Sequence, residues 1–410
     1  MEKFNARVYT SQDVNDLRSE MELIGSEYAG IRKMTRKAVH FVVKVEGVRN
    51  PAVLILKEEM LAKGGDCAIH KEAITARVDR SSCLLMGTEK QFRQMFVDLR
   101  DQPFDLKVLA EEIQRAIERY QSPAPLTPSD DKLPDRLRPF YSALRERTLV
   151  MGILNITPDS FSDGGIHNET ATAVEHGIKM VEDSADVIDI GGESSRPGAA
   201  AVSVEEELSR VIPVIRELTA RTDALISIDT YKPTVARAAL DAGASIINDI
   251  TGLADEEMRK LAAERCMPTI IMHMQGTPQT MQTNPVYEDL ISDILAFLRK
   301  RIGAAVEAGL PEEFIIIDPG IGFGKTAEHN LEIIRNLADF KSLGLPILLG
   351  TSRKAFIGKA LGGLPVTERV EGTAVTLAIG IANGASIIRV HDVKKMAQVA
   401  RMADAIQRNG

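Results

Sequence analysis

Residues 224–250 read ALISIDTYKPTVARAALDAGASIINDI, and their reading decides the fold. A β-branched run, Ala224–Ile228, stops at Asp229-Thr230. Pro233 then opens a stretch to Ala242 with apolar residues at helical spacing, and proline suits a first helical turn. A second run, Ser245–Asn248, ends at Asn248-Asp249. Strand, helix and strand in such short succession make a unit of parallel strands.

The same rhythm extends in both directions. Upstream lie the runs Thr148–Leu154 and Asp186–Ile190; downstream lie Thr269–Met272, Phe314–Ile317, Ile347–Leu349 and Ser386–Val390. Helix-like segments separate them: Thr170–Ser184, Ser203–Ala220, Leu253–Arg265, Tyr287–Ala308, Ala327–Leu337 and Arg369–Asn383, with Val393–Gln407 after the last run. Eight strands, each followed by a helix, over roughly 270 residues predict an α/β fold, a (β/α)8 TIM barrel over 141–410. A doubly wound open sheet shares the alternation and is the runner-up.

Before the barrel, QSPAPLTPSDDKLPD (121–135) holds four prolines and no periodic pattern. It predicts a linker or extended cover segment over 121–140. Residues 1–120 predict a smaller N-terminal α/β domain. Its strands are His40–Val48, Asp66–His70 and Ser82–Met86; its helices are Pro51–Lys63, Glu89–Arg100 and Leu106–Tyr120. No catalytic constellation stands out there, and Cys67 with His70 is too few ligands for a metal site.

Composition narrows the function classes. Of 410 residues, 44% are hydrophobic and 26% charged, which excludes wholesale disorder. No apolar run reaches the ~18 residues of a membrane span. The N-terminal MEKFNARVYTSQ has no apolar signal-peptide core, and the three cysteines form no C-x-x-C pair. The expected compartment is the reducing cytoplasm. The net charge is −8, close to neutral through residue 140 and −9 beyond it. Neither part has the basic excess of a nucleic-acid domain, so neither nucleic acid nor membrane is expected as a partner.

The strand ends carry the chemistry. The first ends at Asn155; the second gives Asp189 and then GGESSRPG; the third Asp229; the fourth Asn248; the fifth His273; the sixth Asp318; the seventh GTSRK; the eighth Arg389 and His391. In a barrel all these ends meet at the face where active sites are built. Asp229, Asn248 and Asp318 suit a flat heterocycle bearing amino and oxo groups. For Asp229, helix N-capping is an equally good reading. Ser352, Arg353, Arg389 and His391 are donors from the last two strand ends, where such barrels often bind phosphate. The run GIGFGKT (320–326) is no P-loop, because proline stands where the first glycine belongs. It predicts a tight loop carrying Phe323 and Lys325 over the pocket mouth. Two glycine- and serine-rich loops, NITPDSFSDGG (155–165) and GGESSRPGAA (191–200), suit substrate cover.

Seven motifs resemble one family in order along the barrel: MGILNITPDSFSDGG (151–165), DIGGESSRPGA (189–199), SIDTYKP (227–233), INDI (247–250), DPGIGFGK (318–325), GTSRKAFIG (350–358) and RVHDV (389–393). This stretch resembles dihydropteroate synthase, the sulfonamide-inhibited enzyme of folate biosynthesis. The resemblance implies a transferase that condenses 6-hydroxymethyl-7,8-dihydropterin diphosphate with 4-aminobenzoate to 7,8-dihydropteroate, releasing diphosphate by an SN1-like mechanism. It implies that Asp229, Asn248, Asp318 and Lys354 hold the pterin. It implies that Asn155, Arg389 and His391 hold the diphosphate, with Mg2+ bridging Asn155 and the diphosphate oxygens. It assigns Ser195, Arg196, Pro197, Phe161, Phe323 and Ser352 to the aminobenzoate side, and Asp229, Asn155, Arg389, His391 and Lys354 to catalysis. A homodimer is the family's usual assembly.

Two departures stand out. Ser195 occupies a position where the family usually has threonine, and the first ~140 residues resemble neither the ordinary bacterial enzyme nor the hydroxymethyldihydropterin pyrophosphokinase fused to it in some organisms. A pterin-binding methyltetrahydrofolate methyltransferase shares the barrel and is the second enzyme reading. The SRK and RVH cluster and the 151–165 stretch argue against it, as does the lack of a D-x-H-x-x-G corrinoid motif. The third reading is a pterin-dependent scaffold acting through residues 1–120.

Overall fold

The computed structural model describes residues 6–9, 14–122, 124–129, 131, 133–156, 166–194 and 201–408, with the backbone alone at 166–169 and 408. Contacts divide the chain into two compact units, one through Ser122 and one from Pro123.

The first unit carries a three-stranded antiparallel sheet in the order β1-β3-β2: β1 (His40–Arg49), β2 (Asp66–Ile69) and β3 (Arg80–Thr88). Helices Asn50–Ala62, Glu89–Asp98 and Leu106–Gln121 pack on it. Pro51 stands in the first turn of one helix, and Thr88 with Gln91 forms a capping box on the next. Leu56, Met60, Leu85, Phe92 and Met95 fill the core. Helices Val14–Leu23 and Tyr28–Ala38 were not legible in the sequence. The first buries no residue and the second only Ile31 and Thr35, so neither writes a broad apolar stripe.

The second unit is a closed barrel of eight parallel strands: β4 (Leu149–Asn155), β5 (Val187–Gly191), β6 (Leu225–Asp229), β7 (Ile246–Asp249), β8 (Thr269–Met272), β9 (Ile315–Asp318), β10 (Ile347–Leu349) and β11 (Ala385–Val390). β11 pairs with β4 and β9 with β10, so the sheet has no edge and the open-sheet alternative falls. Strands buried on both faces read as continuous β-branched runs, which is why they stood out in the sequence. Helices follow each strand, from Ile166–Glu182 after β4 to Val393–Arg408 after β11.

Two pieces of chain close the amino-terminal end of the barrel. Helix Arg138–Glu146, absent from the sequence reading, buries Phe140, Tyr141 and Leu144. Its Tyr141 ring meets Phe314, the residue before β9, edge-on at 6.0 Å. The proline-rich stretch before it lies along the second unit: Leu126 N–H donates to Gly344 O at 2.7 Å, and Arg145 binds Thr127 and Pro128. It is therefore a cover segment.

Candidate active site

The carboxyl ends of the strands build one polar face. Asn155, Gly191, Asp229 and Asn248 are register partners in turn across β4, β5, β6 and β7, so they form one level. Ile153, Asp189, Ser227 and Ile246 form a level nearer the amino ends of the strands. A cavity of about 1020 Å³ opens on this face. Asn155, Phe323, Ser352, Lys354, Arg389 and His391 line it. Asp229, Asn248 and Asp318 stand at the same strand ends, Asp229 hydrogen-bonded to Arg389, and Asp318 coupled by charge to Lys354.

Arg389 makes the central connection. Its Nε donates to Asp189 Oδ2 at 2.6 Å and its Nη2 donates to Asp229 Oδ2 at 2.6 Å. Asn248 Nδ2 also donates to Asp189 Oδ2, at 3.1 Å. Asp229 is thus no helix cap: the helix Pro233–Asp241 has Lys232 at its N-cap. Burial pushes the Asp229 carboxyl up to about 7. Arg389 works against that rise, while Asp189, Glu207 and Asp249 add to it. Burial lowers the Arg389 guanidinium's affinity for its proton, but Asp189 and Asp229 outweigh burial and hold it charged.

Asp318 ends β9 and is buried, with Oδ1 accepting the Gly320 N–H at 2.6 Å. Burial raises its pKa against the pull of Lys354. Lys354 donates to Ile321 O, and its Nζ stands 4.8 Å over the Phe323 ring. Burial lowers the Lys354 ammonium to about 8, with Asp318 opposing. Ser352 Oγ and His391 Nδ1 lie 3.0 Å apart, and the same hydroxyl accepts the His391 N–H at 3.1 Å. Arg353, by contrast, is taken up by Asp392 in a two-point pair at 2.6 and 2.9 Å.

The loop after β9 departs from expectation at Lys325. Its side chain turns inward and is 2% exposed, so it does not stand over the mouth. Its Nζ lies 2.8 Å from His273 Nδ1 and donates to Phe323 O at 3.1 Å. Burial drives the Lys325 ammonium well below its usual range and lowers His273 to about 2. Gly320 is required at this crossing. Its φ is +71°, and a Cβ there would meet His273 O at 1.8 Å.

Phe161, Ser195, Arg196 and Pro197 lie outside the described residues. Asp189 and Lys325 were missed as site residues. Asp189 falls inside an apolar run, and only its partners, 59 and 200 residues away in the chain, give it a role. Among the described residues no cluster of three or more His, Cys, Asp or Glu side chains stands ready for a metal, and no helix is long and apolar enough to cross a membrane.

Comparison with known proteins points one way. The profile described as pterin binding enzyme matches residues 151–391. The chain is 50% identical over 274 residues to the dihydropteroate synthase of Bacillus subtilis, covering 67% of this chain and 93% of that protein. A Yersinia pestis dihydropteroate synthase solved with a sulfonamide drug superposes with a TM-score of 0.61 at 44% identity, over 64% of this chain and 95% of that one. A Halobacterium salinarum protein described as a probable bifunctional folylpolyglutamate synthase/dihydropteroate synthase is 40% identical over 404 residues. That match takes in 97% of this chain, the first unit included, but the chain spans only 47% of that longer protein.

Proposed function

Since the chain belongs to the dihydropteroate synthase family of pterin-binding enzymes, we propose how its own residues divide the work of that reaction. The protein is a transferase of folate biosynthesis. It condenses 6-hydroxymethyl-7,8-dihydropterin diphosphate with 4-aminobenzoate and releases diphosphate. The observation that carries the division of work is Arg389, a guanidinium at the cavity wall in contact with two carboxylates, Asp189 and Asp229.

The pterin lies against Asp318, Asn248, Asp229 and Lys354. Asn248 offers both donor and acceptor, and Asp318 matches an N–H beside an exocyclic amine. The diphosphate lies against Asn155, Arg389 and His391. Breaking the C–O bond first sends the electron pair to the diphosphate and leaves a cation at the pterin methylene. Arg389 stabilises the departing anion, and anionic Asp229 stabilises the cation. The arylamine nitrogen then attacks that carbon and passes its proton to the released diphosphate. Phe323 and Ser352, with Phe161, Ser195, Arg196 and Pro197, form the aminobenzoate side. Exclusion of water keeps the cation from hydrolysis.

The residues at Asn155 fit a divalent ion. A Cβ on Gly191 would lie 3.5 Å from Asn155 Oδ1 and 3.8 Å from Asp229 Oδ2, so glycine leaves room beside two hard oxygens. Mg2+ favours such sites, with few protein oxygens and the remaining ligands from water and phosphate. Asn155 would hold it, and it would neutralise charge on the leaving diphosphate.

The enzyme works in the cytoplasm as a homodimer. Unbridged Cys67, Cys83 and Cys266 suit a reducing setting. Val375 and Ile379 on helix Val370–Ala382, and Met402 and Ile406 on Val393–Arg408, are exposed apolar pairs at i,i+4 spacing that a second copy would cover. Sedimentation at micromolar concentration tests this, and a monomer there overturns it.

The deciding assay feeds purified full-length protein the pterin diphosphate and Mg2+, with and without 4-aminobenzoate. Dihydropteroate equal to the diphosphate released supports the mechanism. Pterin binding without dihydropteroate would turn attention to a scaffold role. Removal of residues 1–122 separates these further, because turnover resides in the barrel alone.

A further inference from the structure

One carboxylate has no task in the mechanism above. Asp189 sits one level below Asp229, where barrels carry bulky branched side chains. It is fully buried, and among the described residues its Oδ1 finds no hydrogen-bond partner. The Oγ of Ser227, its register partner, finds none either. Burying a charge in an apolar level is costly unless a cation meets it. Here Arg389 Nε meets it at 2.6 Å, and Asn248 Nδ2 adds a bond at 3.1 Å.

Arg389 therefore has two unequal partners. Asp189 holds it through Nε from below, with its side chain 0% exposed. Asp229 holds it through Nη2 with a side chain that is 14% exposed and nearer the cavity. A guanidinium has five N–H groups, and these two contacts use two of them.

We propose that Asp189 is a positioning residue, a fixed pivot that retains Arg389 through Nε and aims Asn248, while Asp229 is the exchangeable partner that yields the terminal N–H groups to the diphosphate. The proposal rests on the reading of Arg389 as a diphosphate ligand. It adds an order of events to that reading. In the free protein Arg389 quenches the charge of Asp229. Once an anion occupies the terminal nitrogens, the Asp229 charge is released toward the pterin, where the cation forms. The leaving group thus switches on the carboxylate that helps it leave. Asp189, out of reach of substrate, keeps the guanidinium in register throughout.

The test has two arms. In Asp189→Asn, inorganic diphosphate binding measured by calorimetry should weaken at least tenfold, with 4-aminobenzoate binding within about twofold of wild type. Unchanged diphosphate affinity overturns the proposal, as does equal loss of both ligands, which marks general damage. The second arm needs no variant at Asp189. Arginine 15N spectra of the wild-type protein, assigned with Arg389→Lys, are followed as diphosphate is added. The Arg389 Nε–H signal should keep its shift and slow solvent exchange while the terminal signals move. A displaced Nε–H with diphosphate bound overturns the pivot alone. No response at Arg389 despite bound diphosphate overturns the underlying assignment, and the pivot with it.

Discussion

The two units of this chain fill their interiors by different rules. In the first unit the buried polar residues are Thr35, Asn50 and Glu89 among the described residues, and each has a local structural partner: Ile31 O, Ala73 O and Arg93. In the barrel, Asp189, Ser227, Asn248, Asp249, His273, Asp318, Lys325 and Ser352 are all buried, and most gather at the carboxyl ends of the strands. Burying ionisable groups opposes folding, so a core that retains so many holds them for chemistry. The first unit is a packed structure, and the barrel is a packed structure with a charged end. The same contrast says where substitutions alter turnover and where they alter only stability.

The largest effect should come from Arg389→Ala. It strips the cation from two carboxylates at once, so stability should drop by about 3–5 kcal/mol. Turnover should fall by about 10³-fold, with diphosphate affinity lost in parallel, as steady-state kinetics and calorimetry would read. Near-normal turnover would break the contrast. Asp229 comes next. Burial raises its carboxyl to about 7, so the anion needed beside the cation exists above that pH and is lost below it. The kcat/KM for the pterin diphosphate should therefore rise with pH through about 7, roughly tenfold per unit on the acid side, then level off. Asp229→Asn should abolish that limb and lower kcat by about 10², more than it lowers pterin affinity.

Lys325→Met sharpens the contrast from a residue that touches no strand-end carboxylate. It cuts the tie between the loop that carries Phe323 and His273. We expect KM for 4-aminobenzoate to rise about tenfold with kcat less affected. The smallest effect on turnover belongs to Phe92→Ala in the first unit. It should cost that unit about 3–5 kcal/mol in a melting experiment and leave kcat within twofold. A matching loss of kcat would make the first unit part of the catalytic apparatus.

The barrel was legible because its strands are short, buried on both faces and closed by helices of clear period. The strand between Ala224 and Asp229 ends within one residue of where its pattern ends. Helix Arg138–Glu146 escaped because it follows four prolines and spans little more than two turns. Site residues at strand ends were visible as polar breaks in apolar runs. Asp189 was visible as a polar residue in the second run, but its role was not, because that depends on Arg389, which closure of the barrel brings beside it. Lys325 was misjudged for a related reason. A lysine in a glycine-rich loop reads as exposed, and nothing local announces the histidine on the neighbouring strand end that receives it.

Tyr141 and Phe314, with the proline-rich stretch beside them, seal one end of the barrel. The cavity opens at the opposite end, where the carboxyl ends of the strands meet. In the proposed function both substrates would share that opening, and excess 4-aminobenzoate would compete with the pterin diphosphate for passage.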